Sequence, residues 1–489
     1  MNDLRNPSVI VVGAGMSGIC MAIKLQRAGI TDITVLEKAD EVGGTWRDNT
    51  YPGLRCDVPS SFYQYTFARN PDWSQFFSDG SEIHRYFRDA VDRFGLRRYI
   101  EFGSAVTGAE FVDGRWQVRT EDGKVRVADF LVSATGVLHH PVLPDIPGLD
   151  TFEGAAFHSA RWDHTIPLSD KRVAVVGTGS TGAQIVTALS GSVPSLLLFQ
   201  RTAQWVLPAP NWRNDPFARE LRRRLPAVTA LEYAMVKQIF AFFTVALTEP
   251  GWRRGLVSAL CRQSMRLIRD PQLRAKLTPD YEPMCKRLVL SGGFHQAVQR
   301  PGVEVITEGI QRIDPQGVVT EDGVLHEIDV LVLATGFDSH AYLRPMNLVG
   351  PNGHTLEEAW RGGPKAYRTV AIPDFPNFFM LMGPHSPVGN FSLVPIAEAQ
   401  ADYVLRWIES WRRGEFDSAS PTSGATDSYN TRLRAAMPGT VWASGCNSWY
   451  LGEDGVPEVW PWSPSRHAEM LRRSHAEEFV LEQTPEHSR

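Results

Sequence analysis

The stretch Val9-Ile-Val-Val-Gly13-Ala-Gly15-Met-Ser-Gly18 decides the fold of this 489-residue chain. Four consecutive apolar residues predict a buried strand, and the glycines that follow predict a tight turn into a helix. A second short apolar strand, Ile33–Leu36, ends at Glu37, 24 positions after Gly13. Strand, helix, strand and acid in this order are typical of a βαβ unit whose backbone N–H groups approach a pyrophosphate.

A second unit of the same kind begins with Val173–Val176 and continues as Gly177-Thr-Gly179-Ser-Thr-Gly182. Its second strand, Leu196–Phe199, leads to Arg201, which lies 24 residues after Gly177. An acid at this position suits a ribose diol, whereas a guanidinium suits a 2′-phosphate. The contrast between Glu37 and Arg201 predicts FAD in the first unit and NADPH in the second. A solvated surface arginine is the alternative for Arg201.

Two strand–turn pairs accompany these units. Residues 99–135 alternate as a meander whose last strand, Phe130–Ser133, runs into Ala134-Thr-Gly136. About two hundred residues later, Val330–Leu333 runs into Ala334-Thr-Gly336 in the same way. The pair predicts the turns at which the chain passes between two domains.

These patterns predict an α/β fold with two Rossmann-like dinucleotide-binding domains. The predicted boundaries are 1–145 for the first part of the FAD domain, 146–337 for the NADPH domain, and 338–489 for the second part of the FAD domain with a C-terminal segment. Residues 211–285 interrupt the alternation with apolar helical faces, at 231–247 and 256–268. They predict a helical insertion in the NADPH domain that covers the substrate entrance. Its arginines (Arg219, Arg222, Arg223, Arg224) fit a solvated face better than an anion site.

Composition excludes several classes of protein. A net charge of −5 and a pI near 6.2 argue against a nucleic-acid partner. Five scattered cysteines without CxxC or zinc spacing predict reduced thiols, no metal site and a cytoplasmic protein. No secretory leader is expected before the first strand.

The most lipid-like run, residues 239–247, has nine residues, short of the ~20 that span a bilayer. We therefore expect a soluble protein without a transmembrane segment. Peripheral membrane contact at this run is the less favoured alternative. A monomer is favoured, although nothing in the sequence specifies the oligomeric state.

Two further motifs surround the glycine units. The segment from Phe152 to Asp163 has the spacing F-x-G-x-x-x-H-x-x-x-W-D, and alone it predicts a core-packing linker with a hydrogen-bonded histidine. The segment from Gly43 to Asp57 has the pattern G-G-x-W-x-x-x-x-Y-P-G-x-x-x-D and alone predicts a surface loop. Together, in this order, they resemble the fingerprint and the flavin-lining motif of the Baeyer–Villiger monooxygenases. The resemblance extends over about residues 8–462.

The resemblance implies an enzyme that uses FAD, NADPH and O2 to turn a small-molecule ketone into an ester or lactone. In that family NADPH reduces FAD, the reduced flavin captures O2 as a C4a-peroxide, and an arginine stabilises the peroxide anion and the oxyanion of the ketone adduct. By position, Arg287 is this arginine, Asp57 orients it, and Lys286 lies near the NADPH phosphate. Trp449 corresponds to a tryptophan that closes over substrate and nicotinamide in that family. The alternative is that Trp449 is an aromatic residue of the hydrophobic core. His158 is expected to couple domain movement rather than to act as an acid or base.

Carried over residue by residue, the resemblance assigns these positions to FAD: Gly13, Gly15, Ser17, Gly18, Glu37, Thr45, Trp46, Asp48, Asp57, Tyr63, Val106 and Leu393. It assigns these to NADPH: Arg55, Gly177, Thr178, Gly179, Ser180, Thr181, Gly182, Arg201, Thr202, Lys286 and Arg287. The fingerprint residues are Phe152, Gly154, His158, Trp162 and Asp163.

Two other functions are less favoured. Flavin-containing monooxygenases that oxidise sulfur or nitrogen carry an Asn by the flavin and lack the Trp-Asp ending, whereas this chain has Trp162-Asp163 and no Asn between Tyr51 and Tyr65. Sulfoxidation remains a plausible side activity. A non-catalytic dinucleotide-binding sensor would have no reason to keep both Arg287 and Asp57. No motif specifies which ketone is used, because cyclic, linear, aromatic and steroid ketones are all accepted within this fold.

Overall fold

The structure is a computed structural model that describes residues 4–386 and 389–483. The strands, in chain order, are β1 (Val9–Val12), β2 (Ile33–Leu36), β3 (Ile100–Glu101), β4 (Val106–Val112), β5 (Arg115–Thr120), β6 (Val125–Ala128), β7 (Phe130–Ser133), β8 (Ala155–His158), β9 (Arg172–Val176), β10 (Ser195–Phe199), β11 (Val206–Leu207), β12 (Val289–Leu290), β13 (Val303–Ile306), β14 (Ile310–Asp314), β15 (Gly317–Thr320), β16 (Leu325–Glu327), β17 (Val330–Leu333), β18 (Asn347–Val349), β19 (Phe378–Met380), β20 (Ser418–Pro421) and β21 (Phe479–Glu482). The α-helices are α1 (Met16–Arg27), α2 (Thr45–Asp48), α3 (Gly80–Arg93), α4 (Ser180–Leu189), α5 (Pro216–Arg224), α6 (Pro226–Thr248), α7 (Trp252–Ser264), α8 (Pro271–Leu277), α9 (Phe294–Ala297), α10 (Leu356–Ala359), α11 (Val394–Arg412), α12 (Ser423–Ala436) and α13 (Pro464–Met470).

Each of two parallel sheets is built around one glycine unit. The first has the strand order β19–β7–β1–β2–β3, and the second has the order β13–β10–β9–β17–β8. All neighbours in both sheets run parallel. Both faces of β1 are buried, because Val9 and Val11 belong to one hydrophobic core and Ile10 and Val12 to another. Strand β9 is divided between two cores in the same way, which is why both strands read as continuous apolar runs. The predicted α/β fold with two dinucleotide-binding domains is confirmed.

Each sheet also carries an antiparallel meander, β4–β5–β6 in the first unit and β14–β15–β16 in the second. Strand β19 brings the chain back to the first sheet after the second unit is complete. Helix α11 then packs against α1, and both contribute to the same hydrophobic core. The first nucleotide unit is therefore completed by residues from beyond the second one.

The glycine turns and the Ala-Thr-Gly turns touch each other directly. Gly13 and Gly177 have φ of +103° and +114°, a conformation that favours glycine. A Cβ on Gly13 would lie 2.7 Å from the carbonyl oxygen of Ala134, and one on Gly177 would lie 2.4 Å from that of Ala334. The two motifs occur as a pair in each unit because they share one close backbone contact.

The fingerprint segment is part of the second sheet. Residues 155–158 form the edge strand β8, which pairs in register with β17, so His158 lies opposite Leu333. The prediction of a connecting linker was incomplete, because the pairing partner lies about 170 residues further along the chain. The ring of His158 lies 5.7 Å from that of Phe337, and the ring of Phe157 lies 5.0 Å from that of Trp162.

Helices α5 to α8 occupy the segment predicted to be a helical insertion. Tyr233 and Phe240 of α6 pack against Phe62 of the first unit, with ring centroids 5.2 and 5.9 Å away. Ala246 and Leu247, at the end of α6, belong to the core of the second unit. The insertion therefore bridges the two units.

The expectation that all five cysteines are reduced thiols is wrong for two of them. Cys285 and Cys446 form a disulfide, with Cα atoms 6.1 Å apart. They are separated by 161 residues, so no local spacing could reveal the pair. The other three cysteines, Cys20, Cys56 and Cys261, are free and buried.

The C-terminal segment contains a helix and a strand. After α13 the chain forms β21, which pairs antiparallel with β20. Its sequence, Phe-Val-Leu-Glu, is too short and mixed to be recognised without its partner strand. Residues 484–489 lie outside the described part of the chain.

We expect Gly154→Ala to lower the thermal midpoint of unfolding. A Cβ on Gly154 would come within 2.5 Å of both the Asp329 carbonyl oxygen and the Phe152 ring. Overpacking of this kind typically costs about 1–3 kcal/mol. The control is Gly424→Ala in α12, where a Cβ would meet nothing within 4 Å. Circular dichroism melts of the FAD-loaded protein measure both, and equal midpoints for the two variants would contradict the assignment.

Candidate active site

Arg287 and Asp57 form a bidentate ion pair between the two units. Asp57 lies in the loop between α2 and α3, and Arg287 lies two residues before β12. Nη2 of Arg287 donates to Oδ1 and Oδ2 of Asp57 at 2.7 and 2.8 Å, and Nε donates to Oδ2 at 3.1 Å. Asp57 raises the pKa of Arg287 above its ordinary range, against the opposing effect of burial. The guanidinium therefore stays charged although it is half-buried.

Tyr450 completes the surroundings of this guanidinium. The residue is buried, and burial raises the pKa of its hydroxyl while the charge of Arg287 opposes the rise. Sequence reasoning selected the neighbouring Trp449, whose side chain is 42% exposed and packs on the Tyr450 ring at 4.3 Å. Tyr450 was missed, and the only signal for it in the sequence was its position next to Trp449. The role of Trp449 stays a prediction.

The disulfide lies next to this group. Cys285 precedes Arg287 by two residues, and Cys446 precedes Tyr450 by four. The bond therefore ties the segment that carries Tyr450 to the segment that carries Arg287. Two residues from distant parts of the chain are held side by side by this covalent link.

The loop that carries Asp57 is fastened to α4 of the second unit. The Tyr51 hydroxyl donates to Oε1 of Gln184 at 3.0 Å, and Nε2 of Gln184 donates to the Arg55 carbonyl at 3.1 Å. Thr181 Oγ1 also donates to the Tyr51 hydroxyl, at 3.4 Å. Burial raises the pKa of Tyr51 to about 12, so its hydroxyl is a neutral donor at pH 7. Gln184 was not selected from the sequence, because a helical glutamine carries no signal by itself.

A cavity of about 400 Å³ opens where these segments meet. Asp57, Arg55 and Gln184 line one side of it, and Leu290 and Ser291 line another. A second cavity of about 40 Å³ shares Leu290 and is apolar apart from Asn390. Its walls include Phe240, Phe243 and Leu247 of α6 and Met284 and Leu288 of the Arg287 segment. The two cavities therefore adjoin at Leu290, and the larger one is lined by Asp57 of the ion pair.

Glu37 supports the first glycine turn. Its Oε2 accepts from the Ala14 N–H at 2.8 Å, and its Oε1 accepts from the Ala39 N–H at 3.0 Å and from Arg47 at 2.9 Å. The carboxylate is buried at the end of β2, where a ribose acceptor was predicted. Its contact with the ribose stays a prediction, and its structural role was not foreseen. Ser104 donates its N–H to the Glu37 carbonyl at 2.9 Å, which brings the start of β4, with Val106, to the same place.

The space at the N-terminus of α1 fits a pyrophosphate. The glycine turn before α1 and the first turn of this helix contain four of the predicted FAD residues, Gly13, Gly15, Ser17 and Gly18. A Cβ on Gly44 would lie 3.1 Å from the Cα of Gly15, so a side chain there would obstruct the helix end. Helix N-termini with accessible N–H groups bind anions. The residues present therefore fit FAD.

The remaining predicted FAD residues lie in two groups. Thr45, Trp46 and Asp48 belong to the short helix α2. The Trp46 Nε1–H donates to the Tyr63 hydroxyl at 3.0 Å, which fixes both rings. Leu393 immediately precedes α11 and packs against the first core.

The second glycine turn fits a nucleotide equally well. A Cβ on Gly182 would lie 2.0 Å from the Gly177 carbonyl oxygen, whereas one on Gly179 would point into open space. The turn therefore packs closely at Gly182 and leaves space beside Gly179. This space adjoins the N-terminus of α4, whose first residues are Ser180 and Thr181. Thr178 donates its hydroxyl to the Thr202 carbonyl at 2.7 Å and holds the turn to the end of β10.

Arg201 and Lys286 converge beside this turn. The pKa of Lys286 is lowered first by burial and then by the positive charge of Arg201. Nζ of Lys286 lies 4.9 Å from the centre of the Tyr281 ring. Two like charges from separate segments are stabilised by an anion that contacts both. The contact of Arg201 and Lys286 with the 2′-phosphate stays a prediction. Arg55 lines the larger cavity and forms an ion pair with Asp79 at 3.3 Å.

The fingerprint residues support the connection between the units. Nδ1 of the buried His158 accepts from the Ala160 N–H at 3.1 Å. Burial lowers the pKa of His158, and a contact with the Gly336 backbone opposes the shift. The ring therefore lies beside the turn that follows β17, as its expected role in domain coupling requires. Asp163 accepts from the N–H and hydroxyl of Thr165 at 2.8 and 2.6 Å in a local turn.

Comparison with known proteins identifies relatives of this arrangement. A family model described as flavin-binding monooxygenase-like matches residues 6–245. A monooxygenase of Mycobacterium tuberculosis is 59% identical over 98% of this chain and 96% of its own length. A Baeyer–Villiger monooxygenase of Streptomyces coelicolor is 40% identical over 98% of this chain and 93% of its own length. The crystal structure of cyclohexanone monooxygenase from Rhodococcus sp. Phi1 bound to NADP+ superimposes with a TM-score of 0.88 at 30% identity, covering 98% of this chain and 99% of that one.

We expect Arg201→Ala to weaken NADPH binding while leaving NADH binding nearly unchanged. Loss of one charge-assisted phosphate contact costs roughly 1.5–3 kcal/mol, about tenfold to a hundredfold in affinity. The matched control is Arg312→Ala, which removes an exposed arginine of the same domain that pairs with Asp314. Fluorescence titrations measure the affinity of each variant for NADPH and for NADH. An unchanged NADPH/NADH preference in Arg201→Ala would show that Arg201 does not contact the 2′-phosphate.

Proposed function

The chain belongs to the Baeyer–Villiger monooxygenases of the flavin-binding monooxygenase-like family, and from this premise we propose that Arg287 and Asp57 form its catalytic centre. The enzyme uses FAD and NADPH to insert one oxygen atom of O2 next to a ketone carbonyl, which gives an ester or lactone. The observation that supports the catalytic assignment is the bidentate ion pair joining the two nucleotide units.

When bound, FAD and NADPH together reduce O2 and supply the oxygen atom that the ketone receives. Negative charge develops on the ketone oxygen during this transfer, and a fixed cation beside it lowers the barrier. Arg287 supplies that cation because a guanidinium keeps its charge when it is partly desolvated. Asp57 contacts Nε and Nη2. Nη1 is not among these contacts, and we assign to it the hydrogen bond to the ketone oxygen.

Asp57 is the residue that orients this donor. Two parallel contacts hold the planar guanidinium in one orientation, which a single contact cannot do. The carboxylate also offsets part of the positive charge, so the site does not bind the negatively charged oxygen too strongly before it transfers. Removal of Asp57 would leave an unpaired, half-buried charge that is free to rotate.

Tyr450 limits the space on the far side of Arg287. Its neutral hydroxyl lies beside the guanidinium, and its ring is covered by Trp449. The disulfide between Cys285 and Cys446 holds this segment in place. We infer that the group keeps bulk water from competing for the Arg287 donors.

Lys286 and Arg201 bind the 2′-phosphate of NADPH in this account. Because Lys286 and Arg287 are consecutive, an anion that fixes Lys286 also fixes the backbone that carries Arg287. Nucleotide binding and placement of the catalytic donor are thereby linked. The Tyr51–Gln184 contact holds the opposite wall, which carries Asp57.

A ketone suits this site better than a sulfur or nitrogen substrate. A thioether or amine has no carbonyl oxygen that a fixed guanidinium could stabilise. The small apolar cavity between α6 and the Arg287 segment favours a ketone with an apolar substituent. Sulfoxidation is the expected side reaction, because it needs the same oxygen donor.

We expect Arg287→Ala to separate reduction from oxygenation. The variant should bind FAD and be reduced by NADPH, because Arg201 and Lys286 still hold the phosphate. Removal of one donor aimed at developing charge costs ~3–4 kcal/mol, about a hundredfold to a thousandfold in that step. Ester formation should fall accordingly, and the NADPH that is still consumed should appear as hydrogen peroxide.

The measurement quantifies NADPH loss, hydrogen peroxide and ester in one reaction, with a ketone that the wild type converts. The matched control is Arg344→Ala, which removes an equally bidentate but exposed arginine paired with Glu357. This control should keep the wild-type yield of ester per NADPH. A near-wild-type yield from Arg287→Ala would show that another residue performs this role.

A further inference from the structure

Helix α6 is predominantly apolar, but only part of its apolar surface is buried. Its exposed side carries Leu231, Met235 and Ile239, which are 63%, 56% and 51% exposed. They are spaced by four residues and therefore lie in one row along the helix. A helix that is apolar all round is normally enclosed in a core or in contact with lipid. Solvent is therefore an unfavourable neighbour for this row.

By length and composition α6 could cross a membrane, and only 28% of its most apolar window is buried. Its buried side, however, packs on Phe62 through Tyr233 and Phe240. One side of the helix is therefore committed to protein contacts. Helix α6 therefore lies along the surface of the protein with its other face exposed.

The available face continues onto α7. Phe242 follows Ile239 by about one turn, and its ring lies 5.6 Å from that of Trp252, the first residue of α7. Trp252 is 70% exposed, and Leu256 and Leu260 follow it at four-residue intervals and are also exposed. We call this surface the insertion face; its members are Leu231, Met235, Ile239, Phe242, Trp252, Leu256 and Leu260. Contiguous apolar surfaces of this kind usually mark an interaction site.

Positive charge adjoins the insertion face at Lys237 and Arg253. Residues 215–270 contain ten Lys and Arg but five Asp and Glu, in a chain whose net charge is −5. Lys237 is exposed on α6 between Met235 and Ile239. The Arg253 guanidinium lies 5.4 and 5.5 Å from the centres of the Phe242 and Trp252 rings. The segment is therefore basic although the protein as a whole is acidic.

We propose that the insertion face docks on the surface of a membrane that contains anionic lipid. Apolar side chains flanked by Lys and Arg, with an exposed tryptophan at the boundary, match the depth profile of a lipid interface. Anionic headgroups complement the local positive charge. A second copy of this chain would instead oppose it with the same positive charge, which disfavours association through this face.

Docking also bears on how substrate reaches the enzyme. The residues Phe240, Phe243 and Leu247 on the protein side of α6 line the small apolar cavity. One helix therefore separates the insertion face from that cavity. The transfer of an apolar ketone from lipid to the cavity rests on the proposed function, whereas docking itself does not.

The test is co-sedimentation of the FAD-loaded full chain with two kinds of vesicle, in the absence of substrate and NADPH. One kind is phosphatidylcholine alone, and the other is phosphatidylcholine mixed with phosphatidylglycerol. We expect binding to the mixed vesicles that weakens as salt is raised, because salt screens the headgroup charge. Lys237→Gln should weaken binding about fivefold, the usual effect of one interfacial cation.

Two apolar substitutions, Met235→Glu and Trp252→Glu, should each abolish most of the binding. The matched control is Val125→Glu, which changes an equally exposed apolar residue in β6, away from the insertion. It should bind vesicles like the wild type. Bound FAD and thermal midpoint, measured for every variant, show whether it is folded.

The proposal is overturned if the wild type fails to sediment with mixed vesicles, or if Met235→Glu and Val125→Glu bind equally well. It is also overturned if light scattering shows that the wild type is a dimer without lipid and that Met235→Glu makes it a monomer. That result would assign the insertion face to a second copy of the chain. None of these measurements depends on ketone oxygenation, so a failure here is distinct from a failure of the proposed function.

Discussion

The contact between Arg287 and Asp57 is the constraint on which the arrangement of the site depends. It joins a loop of the first nucleotide unit to the segment that precedes β12 in the second, so each unit supplies half of the pair. Charge on Arg287 is maintained because Asp57 opposes the effect of burial on its pKa. The Tyr51–Gln184 hydrogen bond and the Cys285–Cys446 disulfide hold the segments on either side of the pair.

The parts of the fold that rest on local backbone requirements could be predicted from the sequence. A side chain at Gly13 or Gly177 would collide with the carbonyl oxygen of Ala134 or Ala334. The glycine turn and the Ala-Thr-Gly turn therefore occur together in each unit, and the pair predicts each sheet. The opposite charges of Glu37 and Arg201 predict which unit binds which nucleotide, and that assignment stays a prediction. Burial and the positive charge of Arg201 lower the pKa of Lys286, whereas the sharing of a phosphate by these two residues stays a prediction.

Features that depend on partners far along the chain could not be predicted. The Cys285–Cys446 disulfide joins residues 161 positions apart, and β21 is recognisable only beside β20. Tyr450 became visible as a neighbour of Arg287 only once the chain was folded. The run 239–247 alone is too short to span a bilayer, and the sequence makes peripheral membrane contact the less favoured alternative. A window over the sequence counts apolar residues without showing which ones are exposed. In α6 the exposed row begins at Leu231, upstream of that run.

The most direct test of the account is a double-mutant cycle on the ion pair. Ester formation per bound FAD is measured for the wild type, Arg287→Ala, Asp57→Ala and the double variant. If Asp57 acts by orienting Arg287, its removal has no further effect once Arg287 is gone, so the double variant should lose about as much activity as Arg287→Ala alone. If the double variant instead loses the product of the two single losses, the two residues act independently and the account of the catalytic centre is contradicted.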